Sequence, residues 1–372
     1  MRFNGFDDEW IEEKLGNLVQ IKSGECTKNL ITGIDNSIPY FKVEQLNNSL
    51  KYQIKTPYFI NDKSKIVNKG SIIFPKRGAA ILLNKIRILN QDSFMDTNLM
   101  TLTPNNKLYN EFLYYFIYKE NLSKIADTTS IPQLNNKHIK PYPIKLPSFE
   151  EQLKISKFIS SVDKKVALLS QNLEIFNDFK KGLLQQIFTQ KLRFDFDEIR
   201  LKSISKINKG KQLNKEHMLE LGKFYVLNGG QEPSGYTDSW NTSENTITIS
   251  EGGNSCGFVN FNTEKFWSGG HCYYLNKLSE NIDVYYLYSY LKFIEPQIMR
   301  LRVGSGLPNI QKGDIENIKI KILPKKEQIK ISNLLLSTDN KISSIESQKD
   351  SFEIFKKGLL QQMFVSMRTM VS

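Results

Sequence analysis

The heptapeptide Lys180-Lys181-Gly182-Leu183-Leu184-Gln185-Gln186 recurs unchanged as Lys356-Lys357-Gly358-Leu359-Leu360-Gln361-Gln362, displaced by 176 positions. At the same displacement Glu151-Gln152-Leu153-Lys154-Ile155-Ser156 faces Glu327-Gln328-Ile329-Lys330-Ile331-Ser332. Asp163, Lys165, Phe176 and Phe179 likewise face Asp339, Lys341, Phe352 and Phe355. The register holds across the segment without a gap, so the chain is a duplication with halves of roughly 1–190 and 191–372. A length of 372 residues suits two domains, each large enough to bury a core.

Each repeated segment reads as one long helix, opened by Pro147 or Pro324 and a Glu-Gln pair near the first turn, and free of internal proline. Ile155, Ile159, Val162, Val166, Leu169, Leu173, Phe176, Leu183 and Ile187 follow alternating steps of four and three, with Lys180 taking the seam beside Phe179. The second copy keeps the stripe through Ile331, Leu335, Ile342, Ile345, Phe352, Leu359 and Met363, with Thr338, Lys349 and Lys356 at the remaining seam positions. Such a stripe is that of a coiled coil. A helix of about 38 residues spans about 57 Å, longer than a small domain needs, so the two helices are expected to pair antiparallel within the chain as a spacer. The expected fold is α+β: two mixed α/β domains with β-rich cores, separated by two long helices in a pseudo-two-fold repeat. The expected boundaries are 1–146, 147–190 (first helix), 191–323 and 324–366 (second helix).

The segments ahead of the helices carry short β-rich runs such as Ser71-Ile72-Ile73-Phe74 and Thr246-Ile247-Thr248-Ile249. Leu15, Leu18, Ile21 and Gly24 correspond to Leu201, Ile204, Ile207 and Gly210. Ser130-Ile131-Pro132-Gln133-Leu134 with Ile139 corresponds to Gly306-Leu307-Pro308-Asn309-Ile310 with Ile315. Between these flanks the copies hardly match, and a shared frame with divergent interiors suits two readers of different targets.

Lys and Arg outnumber Asp and Glu by 51 to 39, a net charge of +12 that attracts polyanions, nucleic acid foremost. No apolar run approaches the roughly 18 residues of a membrane span. The N-terminus has no signal-type apolar region, so cytoplasmic residence is expected. Cys26, Cys256 and Cys272 form no CxxC pair, and His271 beside Cys272 has no paired ligands to make a metal site. Neither a GxGxxG nor a P-loop is present, and no Pro-Pro pair offers the aromatic-flanked motif of an amino-methyltransferase.

The order of variable domain, Pro-opened Glu-Gln helix, second variable domain and second such helix resembles the specificity subunits of type I restriction-modification systems. The match rests on Glu9-Trp10 through Leu15-Gly16, the Pro132 and Pro308 turns, the repeated Lys-Lys-Gly-Leu-Leu-Gln-Gln ends, and Asn228-Gly229-Gly230-Gln231-Glu232-Pro233-Ser234-Gly235-Tyr236. It covers essentially the whole chain. The resemblance implies an asymmetric bipartite DNA site, one part read by each target recognition domain, with unread bases between. It also implies two methyltransferase subunits docked on the helices and ATP- and Mg-dependent restriction subunits. S-adenosylmethionine would come with the methyltransferase, and this chain would be non-catalytic with no cofactor of its own.

Affinity for DNA comes from cations on phosphates and specificity from base-edge contacts. In the first domain Phe74-Pro75-Lys76-Arg77-Gly78-Ala79 reads as a strand and a basic glycine turn that suits close backbone approach to phosphate, with Lys76 and Arg77 as DNA-binding candidates and Arg77 suited to guanine. In the second, Ser250-Glu251-Gly252-Gly253-Asn254-Ser255 stands in its place, where Asn254 suits adenine and Glu251 suits cytosine N4. Gln231 and Tyr236 in one glycine-rich loop and His271 in another are further candidates. Thr128, Thr129, Gln133 and Lys137, with Ser305, Asn309 and Lys312 in the other copy, are candidate phosphate contacts in recurring loops. The competing readings are a solvated hairpin tip with an ordinary charge pair at Lys76-Arg77, a glycine turn with polar dressing at Glu251 and Asn254, a partly buried loop histidine at His271, and a fold-defining proline turn for the recurring loops.

Two other classes stay open on the residues alone. A stand-alone sequence-specific DNA-binding protein would bind without partners, leaving the long helices unexplained. A self-sufficient nuclease would cut with a metal ion and no other protein.

Overall fold

The computed structural model describes residues 2–27, 30–32, 37–62, 66–127, 131–189, 196–304, 306 and 308–364. They fall into two compact units: Met1–Leu168 with Gln348–Ser372, and Leu169–Ser347. Among the described residues no helix is long and apolar enough to cross a membrane.

In the first unit the β-rich runs form a five-stranded sheet in the order Val19–Ser23, Leu99–Pro104, Ile72–Pro75, Arg87–Leu89, Tyr52–Gln53. It is antiparallel apart from the last pair. A smaller sheet holds Ile38–Phe41 between antiparallel Phe59–Ile60 and parallel Phe94–Met95. The helix Asn110–Glu120 buries Phe112, Leu113, Tyr115, Phe116 and Ile117 in the same core as Ile72, Phe74, Ile88 and Leu102 of the large sheet. Its aromatic and β-branched neighbours interlock where a polar helix would leave the sheet face wet.

The second unit uses the same plan. Lys206–Lys209, Cys272–Asn276, Thr246–Ser250 and Val259–Asn262 form an antiparallel four-stranded sheet. Phe224–Leu227 lies between antiparallel Gly235–Thr237 and parallel Trp267–Ser268. The helix Val284–Phe293 shares a core with this sheet through Tyr286, Leu287 and Leu291. In each unit a short N-terminal strand pairs antiparallel with the strand just before a long helix: Ile11–Lys14 with Pro143–Leu146, and Asp197–Arg200 with Lys319–Ile322.

The long helices are Phe149–Phe188, 40 residues, and Lys325–Met363, 39 residues. Each unit contains part of both. In the first, Ile155, Ile159 and Val162 share a core with Leu359, Leu360, Met363 and Phe364. In the second, Ile187 and Phe188 share one with Ile331 and Leu335.

The Glu-Gln pair at each helix start proves to be more than a cap. Gln152 is fully buried; its Oε1 accepts from Tyr109 N at 2.8 Å, and its Nε2 donates to the Lys107 and Pro147 carbonyls, each at 3.0 Å. Gln328, also fully buried, accepts from Asp283 N at 2.9 Å and donates to Asn281 O at 3.1 Å and Leu323 O at 2.7 Å. Tyr109 and Asp283 are the N-caps of the two short core helices, so each glutamine ties a long helix to the root of a core helix. Glu151 adds a second tie in the first unit: its carboxylate takes Arg2 Nη2 at 2.8 Å and Trp10 Nε1 at 3.1 Å, which accounts for the tryptophan near the N-terminus.

Candidate nucleic-acid interface

The first unit's buried strand Ile72–Pro75 delivers the basic turn Lys76-Arg77-Gly78 to the surface. Lys76 N donates to Asn98 O at 2.8 Å, Leu134 N donates to Lys76 O at 2.9 Å, and Gly78 N donates to Pro132 O at 2.9 Å. The basic turn and the proline turn, some 55 positions apart in the chain, are thus stitched backbone to backbone. Gly78 sits at φ +83° with open space around its missing Cβ, so the left-handed backbone is what calls for glycine there. With its amide turned to accept, Gln133 lies 3.2 and 3.3 Å from Nη2 and Nε of the exposed Arg77. Burial, then the adjacent Arg77 charge, pulls the half-buried Lys76 ammonium below its ordinary value. Lys137 is exposed on the next short helix, Asn136–Ile139. Thr128 and Thr129 lie outside the described residues.

The second unit repeats the stitching. Glu251 N donates to His271 O at 2.9 Å, Ile310 N to Glu251 O at 2.8 Å, and Gly253 N to Pro308 O at 3.0 Å. Gly253 has φ +72°, and a Cβ on Gly252 would stand 2.1 Å from Asn309 Oδ1. The frame is the same, but its polar side chains differ. Where the first unit has Lys76, the second has Glu251, whose carboxylate receives Lys209 Nζ at 2.6 Å and the Tyr273 hydroxyl at 3.0 Å, with His271 Nδ1 at 3.5 Å. Burial, then the bond to Glu251, pushes the Tyr273 phenol up to about 12, which keeps it a donor. Glu251 Oε1 is therefore engaged within the protein, Oε2 lies 3.5 Å from His271 Nδ1, and Lys209 and His271 remain largely exposed.

The two glycine-rich loops meet here as well. His271 N approaches Asn228 Oδ1 at 3.4 Å, and a Cβ on Gly269 would stand 2.4 Å from the same oxygen. His271, Glu251, Asn309 and the loop leading to the exposed Gln231 thus gather in one region. Asn254 is exposed on the short turn Gly253–Ser255. Tyr236 lies opposite Tyr225 in the smaller sheet. Lys312 is exposed and pairs with Glu316 at 3.5 Å. Ser305 lies outside the described residues. Sequence reasoning passed over Lys209 and Asn228, although Asn208-Lys209-Gly210-Lys211 has the same basic glycine pattern as Lys76-Arg77-Gly78.

Two copies of one α+β fold, each presenting a different polar loop set on a common backbone frame, define a tandem-domain protein. A family model for the type I restriction modification DNA specificity domain matches residues 7–175 and again 194–353, and the chain belongs to that family. Members of this family supply specificity, and the catalytic activity belongs to other subunits. Two Methanocaldococcus jannaschii proteins, assigned as the MjaX and MjaVIII type I restriction enzyme specificity subunits, are similar at 25% and 22% identity. The matches cover 95% of this chain in both cases, and 92% and 91% of those proteins. The crystal structure of the S subunit of a type I restriction-modification system from M. genitalium matches in fold with a TM-score of 0.73, at 21% identity and 98% coverage of both chains.

Proposed function

We propose that this chain reads an asymmetric bipartite DNA site, one part through each target recognition domain, and recruits methyltransferase and restriction subunits that methylate or cleave. The carrying observation is the doubled frame with unlike contents: the same three backbone stitches hold Lys76-Arg77 beside Gln133 in one unit and Glu251-Gly252 beside Asn309 in the other. Arg77 and Gln133 form a donor and acceptor pair suited to a base edge, with Lys76 and Lys137 to phosphate. In the second domain Asn254, Gln231 and His271 are the base-reading side chains, Glu251 holds His271 and Lys209 beside them, and Lys209, Asn309 and Lys312 take phosphates. Tyr236 is a flanking contact, and Thr129 and Ser305 belong to the recurring proline loops.

The two long helices act as an antiparallel coiled-coil spacer that sets the unread gap. Apolar side chains left exposed on them, Ile175 and Phe179 in the first and Ile354 and Phe355 in the second, offer the docking surface for methyltransferase subunits. The test is to produce the chain with a methyltransferase partner in a host lacking other adenine methylation and to sequence the methylated sites. Two unlike half-sites at a fixed gap are expected, and exchange of residues 1–146 for another such domain should change one half-site only. Methylation at an uninterrupted site, or both half-sites altered by the exchange, would refute the reading.

A further inference from the structure

The lysines that interrupt the apolar stripes have partners. In the first unit Lys356 Nζ meets Asp163 Oδ1 at 2.6 Å, and the Tyr115 hydroxyl donates to Asp163 Oδ2 at 2.6 Å. Lys51 reaches the same hydroxyl at 2.9 Å and Ser160 of the first long helix at 3.2 Å. In the second unit Lys180 pairs with Asp339, and the Tyr285 hydroxyl donates to Asp339 Oδ2. Asp163 and Asp339 are equivalent by the 176-residue displacement, as are Lys180 and Lys356. The same node, an aspartate on one long helix, a lysine on the other and a tyrosine from the core helix of the recognition fold, therefore occurs twice. Neither acid nor lysine is more than about a quarter exposed.

A polar pair in an otherwise apolar seam adds little net stability, but it penalises every register that leaves one partner alone. A slip by one heptad would bring Leu173 or Ile187 to Asp339 in place of Lys180, and Lys349 or Met363 to Asp163 in place of Lys356, so one aspartate at least is left without its lysine in either direction. We infer that Asp163 with Lys356, and Asp339 with Lys180, are positioning residues: they fix the register of the paired helices, and Tyr115 and Tyr285 seat each recognition fold on that register. Their effect on the reaction is strictness of the unread gap, not choice of bases. This inference rests on the spacer reading above.

The experiment uses the full chain with its methyltransferase partner and compares wild type, Asp163→Lys, the exchange Asp163→Lys with Lys356→Asp, and Tyr115→Phe. Methylated sites are scored separately for half-site sequence and gap length. Asp163→Lys is expected to raise methylation at gaps about three base pairs too long or too short by about tenfold, with both half-sites unchanged, because one heptad of slip moves a helix about 10.5 Å against about 3.4 Å per base pair. The exchange should restore the single gap, and Tyr115→Phe, which keeps the buried ring and removes only its hydroxyl, should broaden the gap less. If Asp163→Lys does not fold, Tyr115→Phe and the exchange still decide. An unchanged gap distribution in Tyr115→Phe, or an exchange with the gap distribution still broad, overturns the inference. A wild type without any fixed gap would instead overturn the spacer reading.

Discussion

Replacing Gln152 with alanine isolates the tie between a long helix and its recognition fold. The side chain is fully buried and makes three hydrogen bonds, one accepted from Tyr109 N and two donated to the Lys107 and Pro147 carbonyls. Each such bond contributes about 1 kcal/mol net, and each buried backbone group left without a partner costs about 1 to 3 kcal/mol. Water entering the cavity recovers part of that penalty, so Gln152→Ala should destabilise the first unit by about 3 to 5 kcal/mol. Gln152→Glu should cost at least as much, because it removes both donors and buries a carboxyl. Gln328→Ala should act alike on the second unit, and since the two glutamines share no partner, their effects on unfolding should add to within about 0.5 kcal/mol. Urea unfolding followed by circular dichroism measures this. A loss under about 1 kcal/mol for Gln152→Ala would show that the glutamine is a dispensable cap and not a tie.

Arg77→Ala should weaken specific binding by about 1 to 3 kcal/mol and relax one base position of one half-site, read from methylated motifs. Lys209→Ala should weaken binding evenly across sequences and lower the salt slope of the affinity by about 1, measured by titration at several ionic strengths. Four residues inserted after Leu173 and four after Lys349 lengthen the helices by about 6 Å against about 3.4 Å per base pair. The gap should grow by one or two base pairs with both half-sites kept. For pH, burial raises the Glu120 carboxyl, but hydrogen bonds from Lys119 and Tyr142 outweigh it and hold it below the ordinary carboxylate value. Its stabilising contribution is thus present above the unfolded carboxylate range and lost as pH falls through the lower folded value. The acid limb of the stability curve should be shallower in Glu120→Gln.

Local periodicity carried much of this protein in plain view. The duplication, the two long helices and the apolar stripe with its lysine interruptions are spaced along the chain at intervals one helix imposes, so residues alone determine them. The basic turn at Lys76-Arg77-Gly78 and the proline turns were legible too, because glycine and proline restrict the backbone wherever they stand. What each polar group bonds to was not legible. Gln152 read as a helix start, and only folding brings it to Tyr109 N and the Lys107 carbonyl. Glu251 read as a free acceptor until Lys209, more than 40 positions away, came to rest on it. Lys180 read as a gap in a stripe until Asp339 faced it. Apolar burial is non-directional and leaves a pattern in any window of sequence, whereas a hydrogen bond needs one particular partner at one distance. That partner is chosen by chain crossings that no window contains.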